Sequence, residues 1–352
     1  MAPLTAQDHR AHDSAEIAPA RVPRRARARL GVTRLSAVYL WAAFMVLFGI
    51  LTPDTFLTTT TFRLVFSEGV VTCVLALAFL VPLAAGVYDL SIGAVMSLSL
   101  AIVVYLQLHT SLPMLAIALI ALAAATLSGA VSGFIVVRLR VNSFIATLGT
   151  SQVLFAAVLL ISGNNQLVAD FPGSWSNLGL SDVAGVPIVV FYLLAIALVL
   201  WYVLELTRVG RYLFATGGNP EAARLSGVQT NRIIWGSLVA SGLIAGIAGV
   251  IYSMRNGLYS TSTGPGYLFP AVAAVFLGAS QLSQRPNVWG TLIAYFCLAF
   301  GIQGLTLSAR SAAVWSQPLF QGVSLIIAVA LASRPAMRRL RASKAAAAVR
   351  EA

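Results

Sequence analysis

A chain of 352 residues that is 59% hydrophobic, 10% charged and carries a formal net charge of +12 does not have the composition of a water-soluble domain, which is about 45–50% apolar and about 25% charged. Its mean hydropathy of +0.87 leaves too little polar surface to cover a fold in water, so the chain needs lipid. Disorder is excluded by the same composition, because so apolar a chain collapses or inserts.

Rare residues exclude more. The single lysine is Lys344, near the C-terminus, so no P-loop lysine is available to reach nucleotide phosphates. Cys73 and Cys297 make no metal spacing, and His9, His12 and His109 have no thiols nearby. Neither a metal nor a cofactor is expected, and the chain is not expected to be an enzyme.

In chain order, residues 1–34 read as a flexible basic tail holding Arg21, Arg24, Arg25, Arg27, Arg29 and Arg34. The Arg24-Arg25 pair invites a signal-peptide reading. No small-residue cleavage site follows Leu47, however, and the apolar run is long enough to span, so the first helix is retained. A bilayer core of about 30 Å needs roughly 20 apolar residues per helix. Such runs occur near 35–52, 64–87, 92–108, 112–137 and 143–162 and, after a polar stretch at 163–185, near 186–206, 233–254, 267–282, 287–307 and 314–332. The expected fold is all-α: a polytopic membrane protein of about ten transmembrane helices, with a transmembrane domain at 35–332 and a basic tail at 333–352.

Arginines set the orientation. Positive residues gather on the cytoplasmic side of membrane proteins, and threading ten spans puts both termini there, together with Arg138, Arg140, Arg208 to Arg232, Arg285 and the tail from Arg334. Of 23 Lys and Arg, only Arg63, Arg255 and Arg310 fall on the other side, where the long loop carries Asp170 and Asp182 and no basic residue. The charge is therefore a topology signal and an attraction to anionic membrane lipid. Nucleic acid is not an expected partner, because the arginines flank spans and no nucleic-acid-reading fold accompanies them.

Charged groups in or beside the spans are costly and need a partner or a function. Glu205 ends its run next to Arg208 and reads as interfacial; Glu68 sits one turn inside its run and could face the interior. Asp89 lies in Gly86-Val87-Tyr88-Asp89-Leu90-Ser91-Ile92-Gly93. It can cap the helix that follows, or it can mark a broken helix whose freed backbone groups are tolerated only beside a cavity or packed protein. Both readings stand. Trp175, Trp201, Trp289 and Trp315 fall near span ends as interfacial anchors, and Gly242, Gly246 and Gly249 read as close helix packing.

The loop at 207–232 carries strong helix punctuation. Asn219 can cap, Pro220 suits the first helical position, Glu221 favours the positive end, Arg224 lies in the last turns and Gly227 stops the helix. A helix of about two turns is not stable alone in water, so it must be held by its own membrane domain or by a partner.

The stretch from Gly210 to Val228, with Gly218, Asn219, Pro220, Glu221, Ala222, Ala223, Arg224 and Gly227 at its centre, resembles the coupling loop of permease subunits in ribose-type ABC sugar importers. Asp89-Leu90-Ser91-Ile92-Gly93 is similar to that family's Asp-Leu-Ser-Val-Gly motif, and Phe144-Ile145-Ala146-Thr147-Leu148-Gly149-Thr150 to its Phe-Ile-Ala-Thr-Leu-Gly segment. Gly264-Pro265-Gly266-Tyr267 and Ala273-Ala274-Val275 echo a fourth. The resemblance covers about residues 60 to 332. It implies a bacterial inner-membrane permease for a pentose or hexose, paired with a second permease copy, an ATP-binding-cassette ATPase subunit and an extracytoplasmic solute-binding protein. By motif, Glu221, Ala222, Ala223 and Arg224 would touch the ATPase, and Gly86, Asp89, Ser91, Gly93, Phe144, Thr147 and Gly149 would line the pathway or act as hinges. The chain departs from the pattern at Gly86-Val87-Tyr88, at Ser283 to Asn287, and at Pro270, where the family has an acidic residue.

Two other readings compete. A secondary carrier driven by an ion gradient would use Glu68 and Asp89, and would transport without any ATPase. A non-transporting membrane scaffold or lipid-binding protein would share the same close helix packing.

Overall fold

A computed structural model describes residues 36–281, 285–308, 318–323 and 326. The two tails, Arg310, Ser283, Gln284, Trp315 and most of the expected 314–332 span lie outside the described residues. The nine expected runs that fall within them all become helices. In chain order these elements are α1 (Ser36–Leu51), the short α2 (Pro53–Phe56), α3 (Thr59–Ala84), α4 (Ile92–His109), α5 (Met114–Arg138) and α6 (Ser143–Ser162). Then come β1 (Leu167–Val168), α7 (Gly173–Leu180), β2 (Asp182–Val183), β3 (Val186–Pro187) and α8 (Ile188–Trp201), which continues as a π-helical turn at Tyr202–Leu206. The rest are α9 (Arg208–Gly218), α10 (Pro220–Leu225), α11 (Thr230–Asn256), β4 (Leu258–Tyr259), α12 (Thr263–Gln281) and α13 (Val288–Ser308). Seven are long and apolar enough to cross a membrane: α3, α4, α5, α6, α8 with its π turn, α11 and α13, while α1 and α12 are apolar but shorter. Helices are the expected solution, since each satisfies its own backbone where water is absent.

The central pair is α3 and α11. The most apolar stretch of α3 is 78% buried inside the molecule against 22% for α8, which marks α3 as core and α8 as a helix facing outward. α11 runs through the middle, against α3, α4 and α5. Glycines set these distances: a Cβ on Gly242 would lie 2.6 Å from the Ala125 carbonyl oxygen of α5, and one on Gly249 would lie 2.6 Å from that of Met96 on α4. Backbones can approach this closely only without side chains between them.

The two ends of α11 differ. At its C-terminal end β4 pairs antiparallel with β1 (Leu167 opposite Tyr259), and the β2–β3 hairpin and α7 lie nearby. The polar stretch at 163–185 is thus folded, and Trp175 is a correction: its ring is buried and its Nε1 donates to Ser253 Oγ at 3.3 Å, so it is a packing residue and not an interfacial anchor. At the N-terminal end of α11 lie α9 and α10.

Candidate functional site

Local chemistry builds the α9–α10 pair. The Thr207 side chain caps α9 by accepting from the Gly210 N–H. Asn219 then separates the helices and caps the second, its Oδ1 accepting from the N–H groups of Glu221 (3.1 Å) and Ala222 (3.0 Å), with Pro220 at the first helical position. Gly227, at φ +85°, ends α10: its N–H donates to the Arg224 carbonyl, and that of Val228 to the Ala223 carbonyl, each at 3.0 Å. This is the Schellman geometry, which a side chain at Gly227 would strain. Glu221 and Arg224 pair at 2.8 Å with both side chains two-thirds exposed, Leu225 is 82% exposed, and Ala223 packs inward. Sequence punctuation identified α10; that residues 208–218 form a helix of their own was not expected.

Three contacts seat α9 on the bundle. The first is its cap, beside the corner where a Cβ on Gly210 would overlap the Leu204 carbonyl. The second is Phe214, whose ring lies 4.4 Å under the Arg285 guanidinium, while Arg285 Nη2 reaches Glu205 Oε2 at 2.6 Å. Glu205 therefore pairs with Arg285 from the α12–α13 turn and not with its sequence neighbour Arg208. The third is Gly217, which lies backbone to backbone on Gly86 at the end of α3: a Cβ on Gly217 would meet the Ala84 carbonyl oxygen at 2.3 Å and the Gly86 nitrogen at 2.9 Å.

Gly86 (φ +80°) opens the turn that leads to Asp89. Here two distant motifs meet. Leu90 N–H donates to Thr147 Oγ1 at 3.1 Å, Thr147 Oγ1 in turn reaches the Tyr88 and Ser143 carbonyls, and Tyr88 N–H donates to Ser143 Oγ at 3.1 Å. Asp89 is buried; its Oδ1 accepts from both the N–H and the hydroxyl of Ser91. It therefore shapes the turn and does not cap α4, whose N-cap is Ser91. Among the described residues neither its buried Oδ2 nor the buried Ser241 hydroxyl makes a hydrogen bond of ordinary geometry, although Ser241 lies close enough to favour the charged carboxylate. Burial pushes the Asp89 carboxyl above the ordinary carboxylate range, tempered by Ser91 and Ser241. Gly93 packs on Gly264 of α12, where the Gly264 N–H donates to Ser97 Oγ at 3.1 Å. Phe144 is half exposed and a Cβ at Gly149 would meet nothing within 4 Å, so both lie on the outer side of α6, apart from the Gly86–Thr147 cluster.

None of these residues lines a polar-walled cavity of about 660 Å³ between α3, α11, α12 and α13. Its wall carries Thr72, Tyr252, Ser262, Tyr267, Tyr295 and Gln303, with Glu68 at the rim. Among the described residues Glu68 is the sole carboxylate on that wall, and it takes Arg255 Nη2 at 2.8 Å, so the described wall presents hydroxyls, the amides of Gln303 and Gln321, and aromatic rings with little net charge. Pro270 is also on the wall. Lacking an N–H, it leaves the Gly266 carbonyl, in the same wall, without its helical donor. The departure from the family pattern at Pro270 thus falls on the cavity. Sequence reading missed these residues because four helices and the loop before α12 contribute them; the available signal was Gln303, the one amide in the 288–308 run.

Residues 62–332 match the family described as branched-chain amino acid transport system / permease component. The chain is 35% identical over 261 residues to the ribose import permease protein RbsC of Escherichia coli K12, covering 71% of this chain and 78% of that protein. It is 30% identical over 295 residues to the D-allose transport system permease protein AlsC of the same organism, covering 83% and 89%. It is 32% identical over 299 residues to the fructose import permease protein FrcC of Rhizobium meliloti, covering 82% and 81%. No solved structure matches the chain.

Proposed function

We infer, from the premise that this chain belongs to the ABC-importer permease family and is a multi-pass plasma-membrane transport subunit of the ribose type, that it forms the translocation pathway for a monosaccharide, with ATP hydrolysis supplied by a separate subunit docked on α9 and α10. The observation that carries this reading is mechanical continuity. α9 touches the end of α3 through Gly217 and Gly86, and the α12–α13 turn through Phe214 and Arg285. Those same three helices supply Thr72, Tyr267, Tyr295 and Gln303 to the cavity. A push on α10 from the cytoplasm would pass through backbone-on-backbone contact, which has no soft side chain to absorb it, into the cavity walls.

The cavity chemistry supports an uncharged hydroxylated solute. Its volume lies in the range of small-molecule sites, about 300–1,000 Å³. Hydroxyl and amide groups fix orientation, and aromatic faces suit a sugar ring. A zwitterionic amino acid would need a charge of each sign in the wall, whereas Glu68 is already engaged by Arg255. A carboxylate held in an ion pair is likewise a weak candidate for carrying a coupling proton or sodium ion. A second permease copy and an extracytoplasmic binding protein complete the transporter in this reading, with the loops at 207–232 facing the cytoplasm.

The exposed Glu221–Arg224 pair provides the test. A surface pair of this kind contributes about 0.2–1 kcal/mol, so replacing either residue leaves the fold standing. Glu221→Arg or Arg224→Glu in the assembled transporter is expected to cut solute uptake at least tenfold while thermal stability moves little. Unchanged uptake and unchanged solute-stimulated ATP hydrolysis in both variants would refute the docking assignment.

A further inference from the structure

We propose that the groove between α8, α9 and α11 binds one anionic phospholipid, its acyl chain lying along the helices and its phosphate held by Arg232. The groove has a volume of about 620 Å³, and its lining is aliphatic from Ala195 and Val199 on α8 through Leu213 on α9 to Ile247 on α11. Two polar residues interrupt it. Ser237 turns its hydroxyl to the Ile234 carbonyl at 2.7 Å and so has no proton left to donate to a phosphate. Arg232 sits at the end where α11 begins and, among the described residues, its side chain makes no hydrogen bond or ion pair.

Length and charge decide the occupant. From Ala195 to Leu204 the groove follows α8 for about 14 Å, close to half of a hydrocarbon core of about 30 Å, so it has the depth of one leaflet. Its floor includes Gly236, where a Cβ would meet nothing within 4 Å, leaving a dent on α11. An apolar channel one leaflet deep with a cation at its mouth complements a lipid with a negative headgroup. The exposed Arg208, at the start of α9 beside the groove-lining Val209, adds to the positive field there. A second copy of this chain could fill the apolar part, but it would have to bring a buried anion to Arg232.

Native mass spectrometry and thermal unfolding of the detergent-purified chain test the proposal, with phosphatidylglycerol and phosphatidylcholine of identical acyl chains as probes. The wild type is expected to retain phosphatidylglycerol and to be stabilised by it more than by phosphatidylcholine. Arg232→Gln should weaken phosphatidylglycerol binding about fivefold and erase that preference, and Gly236→Trp should block both lipids. Equal response of the wild type to the two lipids overturns the proposal, as does a preference that survives Arg232→Gln. Gly236→Trp disrupting an oligomer while lipid binding persists would give the groove to a second copy instead. Arg232 is exposed, so its variant reports even if the tryptophan variant does not fold.

Discussion

Adding one methyl group at Gly217 tests how α9 is joined to the membrane bundle. A Cβ at Gly217 would lie 2.3 Å from the Ala84 carbonyl oxygen, with Gly86 backbone atoms just behind it. Ordinary van der Waals contact begins near 3.5 Å, so α9 must lift by more than about 1 Å, and no flexible side chain can give way instead. Overpacking of this kind costs about 1–3 kcal/mol. The adjacent Gly218 is the control: it belongs to the same helix and a Cβ there meets nothing within 4 Å. Gly218→Ala should therefore be neutral or slightly stabilising, by up to about 1 kcal/mol from helix propensity. The assay is thermal unfolding in detergent alongside ATP-driven uptake by the assembled transporter. Gly217→Ala should lower the midpoint and cut uptake disproportionately to any loss of folded protein, while Gly218→Ala keeps both. If the two alanine variants behave alike, the direct seat of α9 on Gly86 does not exist.

Three further outcomes follow from the same geometry. Asn219→Ala removes the acceptor for two N–H groups of α10 and should destabilise that helix by about 1 kcal/mol, read as faster amide exchange at Glu221 and Ala222. Asp89 is raised by burial, so the folded state holds its proton more tightly than the unfolded chain. Its contribution to stability is then fully present below the ordinary carboxylate pKa of about 4 and declines as pH rises through the raised value. The wild type minus Asp89→Asn difference in melting temperature should fall across that window, and a flat difference contradicts the assignment. Gln303→Ala removes a neutral hydrogen-bonding group from the cavity, a loss of about 1 kcal/mol or roughly fivefold in apparent solute affinity, with the melting temperature little changed. An unchanged apparent affinity would place the solute elsewhere.

What could be read from the chain was whatever is encoded locally. Apolar runs of span length became helices because lipid leaves the backbone few alternatives. Asn219, Pro220 and Gly227 bounded α10 within a residue because capping, a fixed φ and a left-handed stop each act on the residue itself. Legibility ended where partners lie far apart. Glu205 read as an interfacial residue beside Arg208, but the π-helical turn at Tyr202–Leu206 and the fold of α9 bring Arg285 to it across 80 positions. The Gly217-Gly218 pair read as loop, since two glycines weaken a helix; α9 persists through them because packing on Gly86 overrides propensity. The motifs around Asp89 and Thr147 each stood out, yet only the fold shows Thr147 Oγ1 binding the turn at Leu90. The cavity was hidden for a different reason: in helices apolar on nearly every face, periodicity does not tell which side Tyr252, Tyr267 and Tyr295 present to one another.

The most direct measurement is transport by defined components in proteoliposomes: this chain, its partner ATPase and its binding protein, with a radiolabelled monosaccharide outside and ATP supplied at the docking face. The account predicts accumulation that requires ATP and the ATPase and that is lost with Glu221→Arg. Accumulation by the chain alone, driven by an imposed proton or sodium gradient, would contradict it.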